Sequence, residues 1–199
     1  MKFFFVSSES KEALNAKNEL IKEYGQNNID DADVIIPLGG DGFLLKSLHD
    51  YKKLNKPFYG INYGSIGFLM NNVHKENLID IISKTQKIIL KPLNMIATNN
   101  DNESFESIAF NEVSLMRQSH QASKIQIIIN KVERMKELIC DGVLVSTAAG
   151  STAYNLSAHG TIIPLNSNLL ALTPISAFRP RRWRGALLSE NIKIKFNII

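Results

Sequence analysis

Gly39-Gly40-Asp41-Gly42 stands between an apolar run and an amphipathic one, and this arrangement restricts the fold more than any other feature of the chain. Asp33 to Leu38, carrying Val34, Ile35 and Ile36, reads as a strand. Phe43 to Leu54 places Leu44, Leu45, Leu48 and Tyr51 at helical spacing. Strand, glycine turn and helix in direct succession is the repeating unit of an α/β layer with a parallel sheet.

The same grammar extends on both sides of the turn. Phe3-Phe4-Phe5-Val6 reads as a buried first strand, within a short Met1 to Ser7 run that has no small-residue cleavage site of a secretory leader. A helix is expected over Glu9 to Tyr24, where Ala13, Ala16, Leu20 and Tyr24 recur and Gly25 supplies a stop. Pro57 to Ile61 gives a third strand and Lys75 to Lys84 a further helix, so residues 1–91 form a three-layer, Rossmann-like α/β domain.

Beyond Lys91 short strand-like pieces follow one another, separated by polar turns at Asn99 to Glu103 and Asn130-Lys131. Ser104 to Phe110, Glu112 to Arg117 and Lys124 to Ile129 suit antiparallel pairing. Residues 92–199 are therefore expected to be a β-sandwich-like domain packed closely on the first, with no flexible linker.

Composition excludes several classes. A chain of 199 residues, 44% hydrophobic and 21% charged, buries a core without metals or disulfides, and nothing in it approaches the roughly 20 apolar residues of a membrane span. No membrane partner is expected. One cysteine, Cys140, precludes an internal disulfide, suits a reducing cytoplasm and reads as a small core residue. Arg179, Arg181, Arg182 and Arg184 account for as many charges as the net +4. Pro180 and Trp183 interrupt that run, and neither a recognition helix nor an aromatic platform accompanies it, so no nucleic-acid partner is expected.

The chemistry begins at the glycine turn. Glycines let a backbone approach a ligand closely, and a helix starting just after presents free N–H groups to an anion. Gly39, Gly40 and Gly42 thus suit a phosphate. Asp41 beside phosphates is unfavourable unless it meets a cation or takes a proton from an attacking hydroxyl, and both point to phosphoryl transfer. Neither a Walker loop nor a standard dinucleotide fingerprint is present. The plainer alternative is a tight turn with Asp41 as a helix N-cap. A second glycine-rich stretch, Gly60 to Leu69, follows the third strand and belongs at the same sheet edge, where it walls the same cleft or merely caps the sheet.

In the second half Asn111-Glu112 offers an amide and a carboxylate suited to ribose hydroxyls, or else forms a plain β-turn. Asp141-Gly142 opens a strand that leads into Thr147 to Ser157, where small hydroxyl side chains surround Gly150 and Tyr154 and would fit a base or ribose.

These blocks, in this order and at these separations, resemble the NAD kinase family over nearly the whole chain. Leu172 to Ser176 and Arg179 to Gly185 resemble its bacterial version. The resemblance implies phosphoryl transfer from ATP, or in some members polyphosphate, to the adenosine 2′-hydroxyl of NAD, giving NADP. It implies Asp41 as general base, with Gly42 and Lys46 lining the nucleotide site. Asn111 and Glu112 would hold NAD hydroxyls, and Thr152, Ala153, Tyr154, Asn155, Leu156 and Ser157 its adenosine and nicotinamide portions. Asp141 would also contact NAD, in a region that lies at a subunit interface in the homo-oligomeric family. A divalent cation, normally Mg²⁺, is implied without assignable ligands.

Two departures from the family pattern stand out. Ile139 occupies a position where many bacterial members carry arginine, which bears on affinity or donor choice. The chain also ends within the strand-like Asn191 to Ile198, whereas members continue for some tens of residues, so an expected alternative is a catalytically impaired NAD-binding module. His49, His74 and His120 stand isolated in polar surroundings, and His159 beside Gly160 could approach the site but has no evident carboxylate partner, so none is expected to be a ligand.

Overall fold

A computed structural model describes residues 1–65, 67–73 and 76–199, divided into two compact units, Met1–Lys87 and Ile88–Ile199. Ile66, His74 and Lys75 lie outside the described residues, including the expected start of the third helix and one of the four histidines.

The first unit is built on three parallel strands, β1 (Phe3–Ser7), β2 (Val34–Gly39) and β3 (Ile61–Asn62), in that order across the sheet. Its helices are α1 (Lys11–Tyr24), α2 (Asp41–Tyr51) and α3 (Leu78–Lys84). Strand alternation decides which face each covers. Phe3, Phe5, Val34, Ile36 and Leu38 share a core with Ala13 and Ala16 of α1 and Leu78 of α3. Phe4 points the other way and meets Tyr51 of α2 edge to face, at 6.0 Å between ring centroids. Helices on both faces make the expected three layers. Ser10 caps α1 by accepting Ala13 N–H, and Gly25, at φ 75°, ends it where a side chain would be strained.

Two boundaries differ from expectation. Helix α2 begins at Asp41, inside the glycine turn, because Gly40 adopts extended backbone and its carbonyl already accepts Phe43 and Leu44 N–H. The third strand is reduced to Ile61–Asn62, preceded by a single parallel bridge from Phe58 to Ile35.

The second unit contains only short helical turns besides strands. Its strands are β4 (Leu93–Thr98), β5 (Ser104–Ala109), β6 (Glu112–Met116), β7 (Ser123–Ile129), β8 (Val132–Cys140), β9 (Gly142–Ser146), β10 (Leu169–Ile175), β11 (Ala186–Ser189) and β12 (Ile194–Ile198). One sheet has the order β11-β10-β9-β6, another β12-β7-β8, and β4 pairs with β5. Ile125, Ile127, Leu138 and Cys140 from the three-stranded sheet share one core with Val143, Val145, Leu170 and Leu172 from the four-stranded sheet. That is sandwich packing. Asn130 and Lys131 both take positive φ, as a tight β7-β8 hairpin requires.

The outer face of β9 and β10, with Leu144, Ala171 and Thr173, is also buried. A 3₁₀ turn over Ala149–Thr152 and the short helix α4 (Tyr154–Ser157) cover it. Among the described residues, no helix is long and apolar enough to cross a membrane.

Candidate functional site

Strands β2 and β3 pair through Leu38 with Ile61 and Gly39 with Asn62, so both glycine-rich loops leave from the carboxyl ends of adjacent parallel strands. The Gly39 carbonyl accepts Tyr63 N–H at 2.8 Å, tying the second loop to the first. A Cβ on Gly39 would lie 2.9 Å from that of Phe43, so the glycine is what lets α2 turn so sharply off the strand. Gly40 and Asp41 are half-buried, Gly42 is open, and Lys46, one turn along α2 on Gly42's side, is exposed.

Asp41 is not an N-cap. It is the first residue of α2, and its carboxylate reaches across to the second loop, where Oδ2 accepts Phe68 N–H at 2.7 Å and Oδ1 accepts Leu69 N–H at 3.1 Å. The second glycine loop therefore does more than cap the sheet. These contacts to Asp41 are made by backbone N–H groups, which is why residue type gave no sign of them.

In the second unit Asn111 and Glu112 sit where β5 passes into β6. The Asn111 carbonyl accepts Thr147 N–H at 2.9 Å, Thr147 Oγ1 donates to the Phe110 carbonyl at 2.6 Å, and Gly150 N–H donates to Thr147 Oγ1 at 3.0 Å. Gly150 is required here because a Cβ would run into the Asn111 backbone. Two blocks 35 residues apart are thereby joined at one end of the β6-β9 ladder, where Glu112 pairs with Ser146.

The side chains at that junction are left wanting. Asn111 Oδ1 and Glu112 Oε2 are buried and have no hydrogen-bond partner among the described residues. Buried polar atoms are normally satisfied, so two adjacent unmet acceptors are exceptional. Burial also pushes the Glu112 carboxyl above the usual carboxylate range.

Asp141 lies at the opposite end of the same ladder, where Met116 pairs with Gly142. Four residues of strand separate the two ends, roughly 14 Å at the usual rise, so one copy of this unit does not bring Asp141 to Asn111 and Glu112. Its Oδ1 instead accepts Arg117 Nε at 2.6 Å, in a pair about one-third exposed. The signal for Arg117, a lone cation ending an apolar strand, was present but unspecific.

Across the turn from Thr152 to Ser157, Thr152, Ala153 and Tyr154 are half-buried and Leu156 and Ser157 exposed, with Tyr154 Oη 3.2 Å from Met116 Sδ. Asn155 points inward and is fully buried. Its Nδ2 donates to the carbonyls of Ser151 and Thr161, each at 3.0 Å, while Oδ1 accepts Thr173 Oγ1 at 2.7 Å. That side chain holds the turn onto the sheet.

Near the Arg179 to Arg184 run, the exposed Phe178 ring has the guanidinium carbons of Arg179 and Arg181 each 5.6 Å from its centroid, so an aromatic side chain does accompany the basic stretch. Among the described residues, no group of three or more His, Cys, Asp or Glu could cage a metal ion.

Comparison with known proteins matches residues 3–87 to the ATP-NAD kinase N-terminal domain and residues 110–197 to the ATP-NAD kinase C-terminal domain. The chain is 51% identical over 195 residues to the NAD kinase of Brucella melitensis, covering 98% of this chain and 76% of that one. It is 50% identical to the NAD kinase of Xylella fastidiosa (98% and 75%) and 49% identical to that of Rickettsia bellii (100% and 78%). Among solved structures it resembles an Archaeoglobus fulgidus NAD kinase in complex with ATP, at TM-score 0.77 and 24% identity, covering 100% of this chain and 81% of that one. It also resembles yeast NADH kinase complexed with NADH, at TM-score 0.82 and 21% identity, covering 100% and 72%. The structural likenesses establish the fold.

Proposed function

The chain belongs to the NAD kinase family, and we propose that it divides the family's reaction between its units, the first activating the acceptor hydroxyl and handling phosphate, the second gripping NAD. The reaction moves the terminal phosphoryl group of ATP to the 2′-hydroxyl of the adenosine ribose of NAD, yielding NADP.

The observation that carries the division is the pair of orphaned acceptors, Asn111 Oδ1 and Glu112 Oε2. Ribose hydroxyls are donors of the right kind for both. Thr152, Ala153, Tyr154, Leu156 and Ser157 surround the remainder of the dinucleotide from the turn over β9. Asp141, at the far end of the ladder, serves NAD held by another copy in a homo-oligomer.

In the first unit Gly39, Gly40 and Gly42 approach the phosphates of ATP with their backbone, and Lys46 adds a positive charge from the same side of α2. Asp41 accepts the proton of the 2′-hydroxyl as its oxygen attacks the terminal phosphorus. The bond from phosphorus to the bridging oxygen breaks, and ADP leaves with that electron pair. A divalent cation, when bound, neutralises phosphate charge. Among the described residues no cluster of His, Cys, Asp or Glu would cage such a cation, so it would be held chiefly by the phosphates of ATP. A reducing cytoplasm suits the single, buried Cys140.

Calorimetric titration of NAD tests the second unit's part. Asn111→Ala and Glu112→Gln are each expected to weaken binding about 10–100-fold, the value of a hydrogen bond to a charged or buried group. Wild-type affinity in both would remove these residues from the site.

A further inference from the structure

A general base performs only if its lone pair faces the proton, and a free aspartate side chain has several rotamers to lose first. Asp41 is not free. Two consecutive backbone donors grip both of its oxygens, from positions 27 and 28 residues further along the chain. A carboxylate has about four lone-pair sites, so one amide on each oxygen leaves the others pointing in fixed directions.

The donors are themselves held. Besides Tyr63 N–H on the Gly39 carbonyl, Asn62 N–H donates to the Asn71 carbonyl and Asn71 N–H to the Gly60 carbonyl, each at 2.8 Å, with Asn71 Nδ2 also on Gly60 at 3.0 Å. The loop is closed at its base on the sheet. Its glycines are shaped by the approach, since a Cβ on Gly67 would stand 2.8 Å from Asp41 Oδ1 and one on Gly64 would stand 3.0 Å from Gly40 Cα. The first separation is one that real side chains do not show, so any residue but glycine at 67 must push the carboxylate or the loop away.

We propose that the backbone N–H groups of Phe68 and Leu69 are the positioning elements of Asp41, and that Gly67 is the residue that lets them reach it. This rests on the assignment of Asp41 as the base. The loop acts through Asp41, fixing its orientation during folding rather than at the moment of reaction.

The test is a kinetic cycle on the full chain with ATP, Mg²⁺ and NAD. Gly67→Ala is expected to lower kcat for NADP formation about 10–100-fold, the effect of a displacement near an ångström, with little change in KM for NAD. Asp41→Asn/Gly67→Ala should be no slower than Asp41→Asn alone, because a group that acts only through Asp41 has nothing left to lose. Wild-type kcat in Gly67→Ala, or multiplied defects in the double variant, would overturn the proposal. Full activity in Asp41→Asn would instead sink the base assignment and is read separately. Should Gly67→Ala not fold, hydrogen exchange in Asp41→Ala decides. Phe68 and Leu69 amides are expected to exchange at least about tenfold faster than in the unaltered protein, and equal protection rejects the grip.

Discussion

The glycine turn at Gly39 to Gly42 and the Asn111-Glu112 junction are opposites in how their polar groups are treated. At the turn, the half-buried Asp41 carboxylate has both oxygens engaged by the protein's own backbone. At the junction, Asn111 Oδ1 and Glu112 Oε2 are buried and bond to nothing among the described residues. A group that must be aimed is satisfied in advance, while groups that must bind are left short of donors. The difference is the one expected under the proposed roles, with Asp41 removing a proton and Asn111 and Glu112 recognising NAD.

The contrast breaks first if Asp41→Asn stays active. That variant is expected to lose roughly 10²–10⁴-fold in kcat, the usual contribution of a positioned base, with an unaltered circular dichroism spectrum. Next in size is Asn155→Ala, which removes three hydrogen bonds and opens a space in a fully buried position. Denaturant unfolding should show a loss of about 2–4 kcal/mol. A satisfied buried amide supports the fold, whereas an unsatisfied one does not.

Glu112→Gln should then move stability the other way. Burial raises the Glu112 carboxyl, so the folded protein holds that proton more tightly than the unfolded chain does. Stability falls as pH rises from the ordinary carboxylate value through the raised one, and the full penalty is present above it. The glutamine variant should melt higher than wild type at neutral pH, and the gap should close as pH drops below the ordinary carboxylate value. Smallest is Arg117→Gln, which breaks a pair about one-third exposed with Asp141 and should cost under about 1 kcal/mol.

Local signals were legible in the sequence and long-range ones were not. Ala13, Ala16, Gly25 and the strand running into Gly39 could be read because periodicity and glycine chemistry act within a few residues. Strand β8 was obscured by Glu133, Arg134, Lys136 and Glu137, which ride its exposed face while Leu138 and Cys140 face the core. The residue types of the two sites were apparent, but their orientation was not. Nothing local sets Asn155 apart within the Thr152 to Ser157 turn, yet Thr173, 18 residues away, turns it inward. The partners of Asp41 are amides that every residue but proline possesses, so only the fold could single out Phe68 and Leu69.

If proton removal belongs to Asp41 and recognition of NAD to the second unit, binding and turnover separate when Asp41 loses its charge. The most direct measurement pairs NAD binding by calorimetry with NADP formation in Asp41→Asn. Affinity is expected within about twofold of wild type alongside a turnover reduced at least about a hundredfold. NADP formation at the wild-type rate, or loss of NAD binding together with turnover, would contradict it.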